Sequence, residues 1–168
     1  MSFTATKIST EDKQKFYDLL LKQVEGLLSI ETNLIANAAN LSSLLYHSMT
    51  DVNWLGFYFY VESQEELVLG PYQGQVACTR IPVGQGVCGT AFADNETLRI
   101  KDVHAFKGHI ACDSASNSEL VIPLNVDGKK IGVLDIDSPL LDRFDEVDEK
   151  SLIHIAKIFC QSVNKSPK

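Results

Sequence analysis

The stretch Leu120-Val-Ile-Pro-Leu-Asn-Val-Asp-Gly-Lys-Lys-Ile-Gly-Val-Leu-Asp-Ile-Asp137 reads as two strands and a turn. Asp127-Gly128 between two apolar runs is the strongest short-range signal for a tight hairpin. Leu120–Val126 is the outgoing strand and Ile131–Asp137 the returning one. Asp135 and Asp137 are two apart and share a face, while Leu134 and Ile136 point the other way. Aspartate is a poor strand residue. Ile131 and Val133 fall on the same face as the aspartates. A polar pocket at the strand's end therefore explains the carboxylates better than a solvated surface does. Glu119 opens the outgoing strand, and its place depends on register. A strict two-residue turn sets it opposite Ile136, on the wrong face. An extra turn residue or a bulge sets it opposite Asp137 and completes a three-carboxylate cluster. The second register is the expected one.

The segment before this hairpin, from Asp102 on, carries His104, His109 and Cys112, and Cys112–Ser118 is almost entirely small and polar. Such composition makes a loop. A thiol on a loop is reachable, and once ionised it is a nucleophile. The bland alternative is an idle loop cysteine, since free cysteines are usually inert and buried. Gly84-Gln85-Gly86 leads into a short helix with Cys88 in its first turn, where the helix's positive end lowers a thiol's pKa. Simple packing between Gly86 and Gly89 is the competing account. Cys78, in an expected strand Val76–Ile81, reads alone as core, and Cys160 on the last helix reads as core.

The remaining patterns exclude several chemistries. No Cys-x-x-Cys occurs, so zinc-ribbon and thioredoxin motifs are absent. The spacing of His104, His109 and Cys112 matches no zinc pattern. A hydrolase-like Cys112–His109 pair leaves the other thiols and the carboxylates unexplained. His47 and His154 lie in helical stretches and read as structural or solvated. Gly84-x-Gly86 lacks the Lys-[Ser/Thr] of a phosphate loop.

Upstream, apolar residues Phe16, Leu19, Leu20, Val24, Leu27 and Leu28 predict a helix over 11–28. Leu34, Ile35, Ala38, Ser42, Leu45 and Met49 predict one face of a second helix, 31–48. Trp54–Val61 is the clearest strand, with Trp54, Tyr58 and Tyr60 on one face. Leu67–Leu69 and Val76–Ile81 follow as strands, with Gly70-Pro71 and Gly74 as breakers. Leu98–Ile100 is a short strand, and a helix over 145–163 closes the chain with Asp145 as its N-cap. Strands that follow one another directly give a mostly antiparallel sheet. The expected fold is α+β, one domain over 1–168 with helices flanking the sheet.

The chain has 168 residues, 45% of them apolar and 22% charged, the make-up of an ordinary globular domain. Its net charge of −7, from 22 acidic and 15 Lys/Arg residues, repels phosphate backbones and argues against a nucleic-acid partner. No apolar run reaches the ~20 residues that span a bilayer, and Met1–Phe16 has no signal-peptide core. A cytoplasmic protein with no membrane association is expected. Disulfides there are mostly transient and catalytic.

Four motifs resemble those of one family. They are Trp54-Leu55-Gly56-Phe57-Tyr58, Arg80-Ile81-Pro82-x-Gly84-x-Gly86-Val87-Cys88-Gly89, Asp102-Val103-His104-x-Phe106-x-Gly108-His109-Ile110-Ala111-Cys112-Asp113 and Gly132-Val133-Leu134-Asp135-Ile136-Asp137-Ser138. They are similar to the GAF-domain free methionine-(R)-sulfoxide reductases over nearly the whole chain. Lys107 departs from the proline or acidic residue expected there and touches no reactive group. The resemblance implies a GAF fold, often homodimeric. It also implies reduction of free methionine-R-sulfoxide with recycling by thioredoxin and no bound cofactor. It makes Cys112 the attacking thiol and Cys78 and Cys88 the other redox cysteines.

On that reading Glu119, Asp135 and Asp137 together supply a proton to the departing oxygen and attract the substrate's ammonium group. The sulfenic acid left on Cys112 condenses with Cys78, the preferred resolving thiol, or with Cys88. Trp54 and Tyr58 are candidates for the wall around the substrate's methyl end. The alternatives are a non-catalytic GAF sensor of a small molecule and a thiol redox switch. Extra thiols and the lack of an output domain count against the sensor.

Overall fold

The computed structural model describes residues 3–110, 112 and 114–164. Strand β5 (Ser118–Val126) pairs antiparallel with β6 (Lys129–Ser138). Val126 faces Lys129 across a two-residue turn in which Asp127 and Gly128 have φ of 50° and 76°. Two positive φ values in succession are the geometry of the tight hairpin turn that suits twisted strands. The register then slips: Asn125 faces Lys130, but Leu124 faces Gly132. Ile131 is the extra residue of a bulge, and beyond it Glu119 stands opposite Asp137. One detail of the sequence reading is corrected. Ile131 packs against the larger core, not on the face of Val133, because the inserted residue turns it over. Gly132 is required here, since a Cβ would run into the backbone of Tyr58.

The other strands are β1 (Trp54–Val61), β2 (Glu66–Gly74), β3 (Arg80–Pro82) and β4 (Leu98–Ile100). The sheet order is β3-β2-β1-β6-β5-β4, and every pairing is antiparallel. Two strand expectations are corrected. Gly70-Pro71 does not break β2. Gly56 pairs with Tyr72 and Tyr58 with Leu69, so Gly70 and Pro71 together oppose Phe57 in a second bulge. A bulge tolerates a residue without an N–H. The strand expected from Val76 shrinks to Arg80–Pro82, leaving Cys78 in an irregular segment. Side chains hold that segment instead of a ladder: the Trp54 indole donates to Gln75 O at 3.1 Å and the Tyr58 hydroxyl to Cys78 O at 3.0 Å.

Helix α1 (Lys13–Leu27) lies on α2 (Leu34–Ser48) and α4 (Glu146–Val163), which cover one face of the sheet. They pack on Leu55, Phe57, Leu120, Ile122, Leu134 and Ile136. The short α3 (Gly86–Asp94) covers the other face over a smaller core with Trp54, Tyr58, Val121 and Val133. Strand alternation decides these assignments. Leu134 and Ile136 take one side, so Val133, Asp135 and Asp137 take the other.

Asp12 caps α1, and Asn33 caps α2. Asp145 caps α4 with a reciprocal box to Asp148, worth about 1 kcal/mol. Leu19 and Ile35, expected on the buried faces, are 36% and 54% exposed. Tyr17, Asn37 and Leu41 are buried in their helices, a turn of the wheel that apolar counting alone does not resolve. Among the described residues no helix is long and apolar enough to cross a membrane.

Candidate active site

The three carboxylates meet on the α3 face. Glu119 and Asp137 are cross-strand neighbours, and Asp135 lies two residues along β6. Glu119 and Asp135 are each 6% exposed. The Cys88 thiol, on the first turn of α3, donates toward Glu119 Oε1 with Sγ at 3.8 Å. Among the described residues, Asp135 Oδ1 is buried without a hydrogen-bond partner, a costly arrangement for a polar atom. These groups line a cleft together with Tyr58, His109, Cys112, Ser116 and Asp137.

Burial pushes the Glu119 carboxyl well above the usual carboxylate range, and Asp135 and Asp137 push it further. Burial raises Asp135 to about 6, against hydrogen bonding from Cys88 and Glu119. Together these groups hold at least one proton at neutral pH. The expectation of an activated Cys88 is overturned: burial and the carboxylates raise its pKa well above that of a free thiol. A helix end is worth ~1 kcal/mol, too little against full desolvation beside two acids.

A stability prediction follows from these directions. A carboxyl raised in the folded state stabilises it fully below the unfolded pKa, near 4. That stabilisation is lost as pH rises through the folded-state value, about 6 for Asp135 and well above the usual carboxylate range for Glu119. Each pH unit between the two values is worth about 1.4 kcal/mol. Glu119→Gln mimics the protonated acid, so it should leave Tm unchanged near pH 4.5. At pH 8.5 it should raise Tm by a few degrees. Thermal melts at the two pH values read this directly. Equal shifts at both would mean that the glutamate is not held protonated.

Cys112 is joined to Cys78 by a disulfide with Cα atoms 5.1 Å apart, inside the normal span for such bridges. Cys88 and Cys160 are free and buried. The bridge corrects the core reading of Cys78, which is half-buried in its irregular segment. Cys160 lies in the larger core, as expected. The sulfur of Cys88 and oxygens of Glu119 and Asp135 lie within 4.8 Å of one another, a donor set that could also hold a divalent metal ion.

Asn117 fixes the end of the Cys112 loop. Its N–H donates to Ser138 O and its side-chain amide to Pro139 O, both at 2.8 Å. It also accepts from His104 Nε2 at 2.9 Å, and its carbonyl accepts from Val103 N at 3.0 Å. Burial and His104 lower the pKa of His109, a cleft residue that the sequence reading left as a rejected ligand or base. Ser116 also lines the cleft and was missed, because nothing in a run of small polar residues marks one of them. Tyr58 is at the cleft as expected. Trp54 is not in its lining and lies behind, stacked on Tyr58 at 5.8 Å and on Tyr72 at 5.2 Å.

Residues 40–159 match the GAF domain family. Protein YtsP of Bacillus subtilis is 62% identical over 87% of this chain and 90% of its own. Free methionine-R-sulfoxide reductase of Escherichia coli is 55% identical over 84% of both chains. The X-ray structure of free methionine-R-sulfoxide reductase from Neisseria meningitidis in complex with its substrate superposes with a TM-score of 0.91, at 45% identity over 95% of both chains.

Proposed function

Because the chain belongs to the GAF-domain family of free methionine-R-sulfoxide reductases, we propose that it reduces free methionine-R-sulfoxide by thiol chemistry at Cys112. The observation that carries this reading is one cleft holding both the Cys112 sulfur and the Glu119–Asp135–Asp137 cluster. The Cys112 thiolate attacks the sulfoxide sulfur. The oxygen cannot leave as a bare anion, and the cluster, in which burial raises both Glu119 and Asp135, donates the proton. Methionine departs and Cys112 becomes a sulfenic acid. Cys78 condenses with it, releasing water and forming a disulfide, the pairing present here. Thioredoxin then reopens the bridge by thiol exchange.

The bonding capacity left open on Asp135 Oδ1 suits an ammonium donor, and Asp137 adds negative charge beside it. A free amino acid carries that ammonium, whereas a peptide presents a neutral amide. Tyr58 supplies the wall against the methyl end. Cys88, kept protonated, fits a reserve thiol better than a first resolver. The reading sets the enzyme in the cytoplasm, where thioredoxin is available, and needs no bound cofactor. A homodimeric state belongs to the proposal.

The test is NADPH consumption through thioredoxin and its reductase. Free methionine-R-sulfoxide, the S epimer and a peptidyl sulfoxide are offered in turn. Turnover is expected with the first alone. No turnover with any of them, together with calorimetric binding of a small molecule, would favour the sensor reading. Comparable rates with the peptidyl substrate would remove the role given to the ammonium.

A further inference from the structure

The reaction at Cys112 and Cys78 leaves the thiol of Cys88 idle. Cys88 stands on the first turn of α3 and is 4% exposed, beside Glu119 on β5 and Asp135 on β6, each 6% exposed. Its Sγ is 3.8 Å from Glu119 Oε1, and one donor atom from each of the three residues lies within 4.8 Å of the other two. A tetrahedral zinc ion has bonds of about 2.3 Å to sulfur and about 2.0 Å to oxygen, which set the two ligand atoms about 3.5 Å apart. The Cys88–Glu119 pair is already near that spacing. Acids gathered together do not make a site by themselves. The second observation is Asp135 Oδ1, buried in the cleft wall with no hydrogen-bond partner among the described residues. A buried polar atom left open points to a ligand. The three donors also stand on a helix and two strands packed on one another, so the set is held in place before an ion arrives.

We propose that Cys88, Glu119 and Asp135 form a site for a divalent cation of the zinc class, and that the bound ion inhibits the cleft. Sulfur decides the class. Mg²⁺ and Ca²⁺ take oxygen ligands in larger sets, whereas Zn²⁺ and Co²⁺ accept thiolate together with carboxylate. The ion displaces the protons held by these groups, and they pass to solvent. Three protein ligands leave a fourth position, which faces the cleft that Cys112 lines. Inhibition follows from what the ion occupies. Glu119 and Asp135 no longer give the departing oxygen its proton, and Asp135 Oδ1 no longer receives the substrate's ammonium. The inhibition rests on the reductase reading, while the binding of the ion does not.

The test starts from protein with the Cys78–Cys112 disulfide formed, which leaves Cys88 and Cys160 as the free thiols. Titration with Co²⁺ should raise a sulfur-to-cobalt charge-transfer band in the near ultraviolet. Zn²⁺ should bleach the band and Mg²⁺ should not. Cys160→Ser should keep it, and Cys88→Ser should lose it, with folding checked by circular dichroism. Glu119→Gln retains the thiol and should weaken Co²⁺ binding by about tenfold or more. An ion on His104 and His109, whose rings are 6.3 Å apart, would give no sulfur band. Absence of the band in the unsubstituted protein, or its survival in Cys88→Ser, overturns the site. The inhibition is read in single turnovers of prereduced protein without thioredoxin. Zn²⁺ should suppress methionine formation, and a chelator should restore it. Cys88→Ser should need about tenfold more Zn²⁺ for the same fractional loss. Equal sensitivity of the two proteins would put the inhibiting ion on Cys78 and Cys112 and overturn the inhibitory role. A cobalt band in a protein that forms no methionine even without metal would uphold the site and sink the reductase reading instead.

Discussion

Cys112→Ser should lower steady-state turnover of free methionine-R-sulfoxide by at least ~10³-fold, the scale of losing a nucleophile. A hydroxyl in the same place ionises far too weakly to attack the sulfoxide sulfur, and no other described thiol can replace it. Cys88 is held protonated by burial among carboxylates, and Cys160 lies in the larger core with its own pKa raised by burial. Cys78→Ser should behave differently. It leaves the attacking thiol in place, so one methionine per chain should appear in a burst, followed by arrest with Cys112 as sulfenic acid. Rapid-quench counting of methionine and trapping of the sulfenic acid distinguish the two variants. Sustained thioredoxin-driven turnover in Cys78→Ser would show that Cys88 resolves, and would remove Cys78 from the main route. Cys160→Ser, remote from the cleft, is the control that should keep nearly full activity.

The second large effect is on stability and lies away from the cleft. Asp148, fully buried on α4, accepts from the Tyr17 hydroxyl at 2.7 Å, from Lys13 Nζ at 2.9 Å and from Asp145 N at 2.9 Å. Arg143 Nη1 reaches both its oxygens at 3.3 Å and also ties the network to Thr50 O. One carboxylate therefore joins α1, the start of α4 and the link from α2 to β1. Asp148→Ala leaves a buried phenol without its acceptor and the Arg143 guanidinium without its carboxylate, while Lys13 keeps Asp145 at 2.7 Å. Removing one member of such a buried group costs about 3–5 kcal/mol, a large share of a domain's total stability. Urea denaturation should show this loss, with activity per folded molecule preserved at low temperature. Asp148→Asn, which can still accept hydrogen bonds, should lose less. A cost under ~1 kcal/mol for the alanine variant would mean that the network is compensated by solvent.

Most of the architecture was readable because its signals are local. Asp127-Gly128 carries its own turn geometry, and alternation along 131–137 sends the aspartates and their aliphatic neighbours to opposite faces. Even the register of Glu119 was accessible, because only one of two registers makes sense of three acids. What escaped depends on contacts distant in sequence. Nothing near Val76 says that its strand will be replaced by hydrogen bonds from Trp54 and Tyr58. Nothing near Cys88 says that three carboxylates will surround it, so a rule about helix ends gave the wrong sign. Asn117 and Ser116 are one small polar residue each among several, distinguished only by what the fold sets beside them.

The extra residue at Ile131 makes the hairpin a counting device. Beyond it the arms meet odd against odd and even against even, and pairing the same residues without the bulge would set odd against even. The barrier-lowering acid would then be aimed at the greasy side under the long helices, with the cover of the sheet otherwise intact. Loss of chemistry with retention of shape lies a single register slip away, a short path between a catalyst and an inert binding module built on the same scaffold.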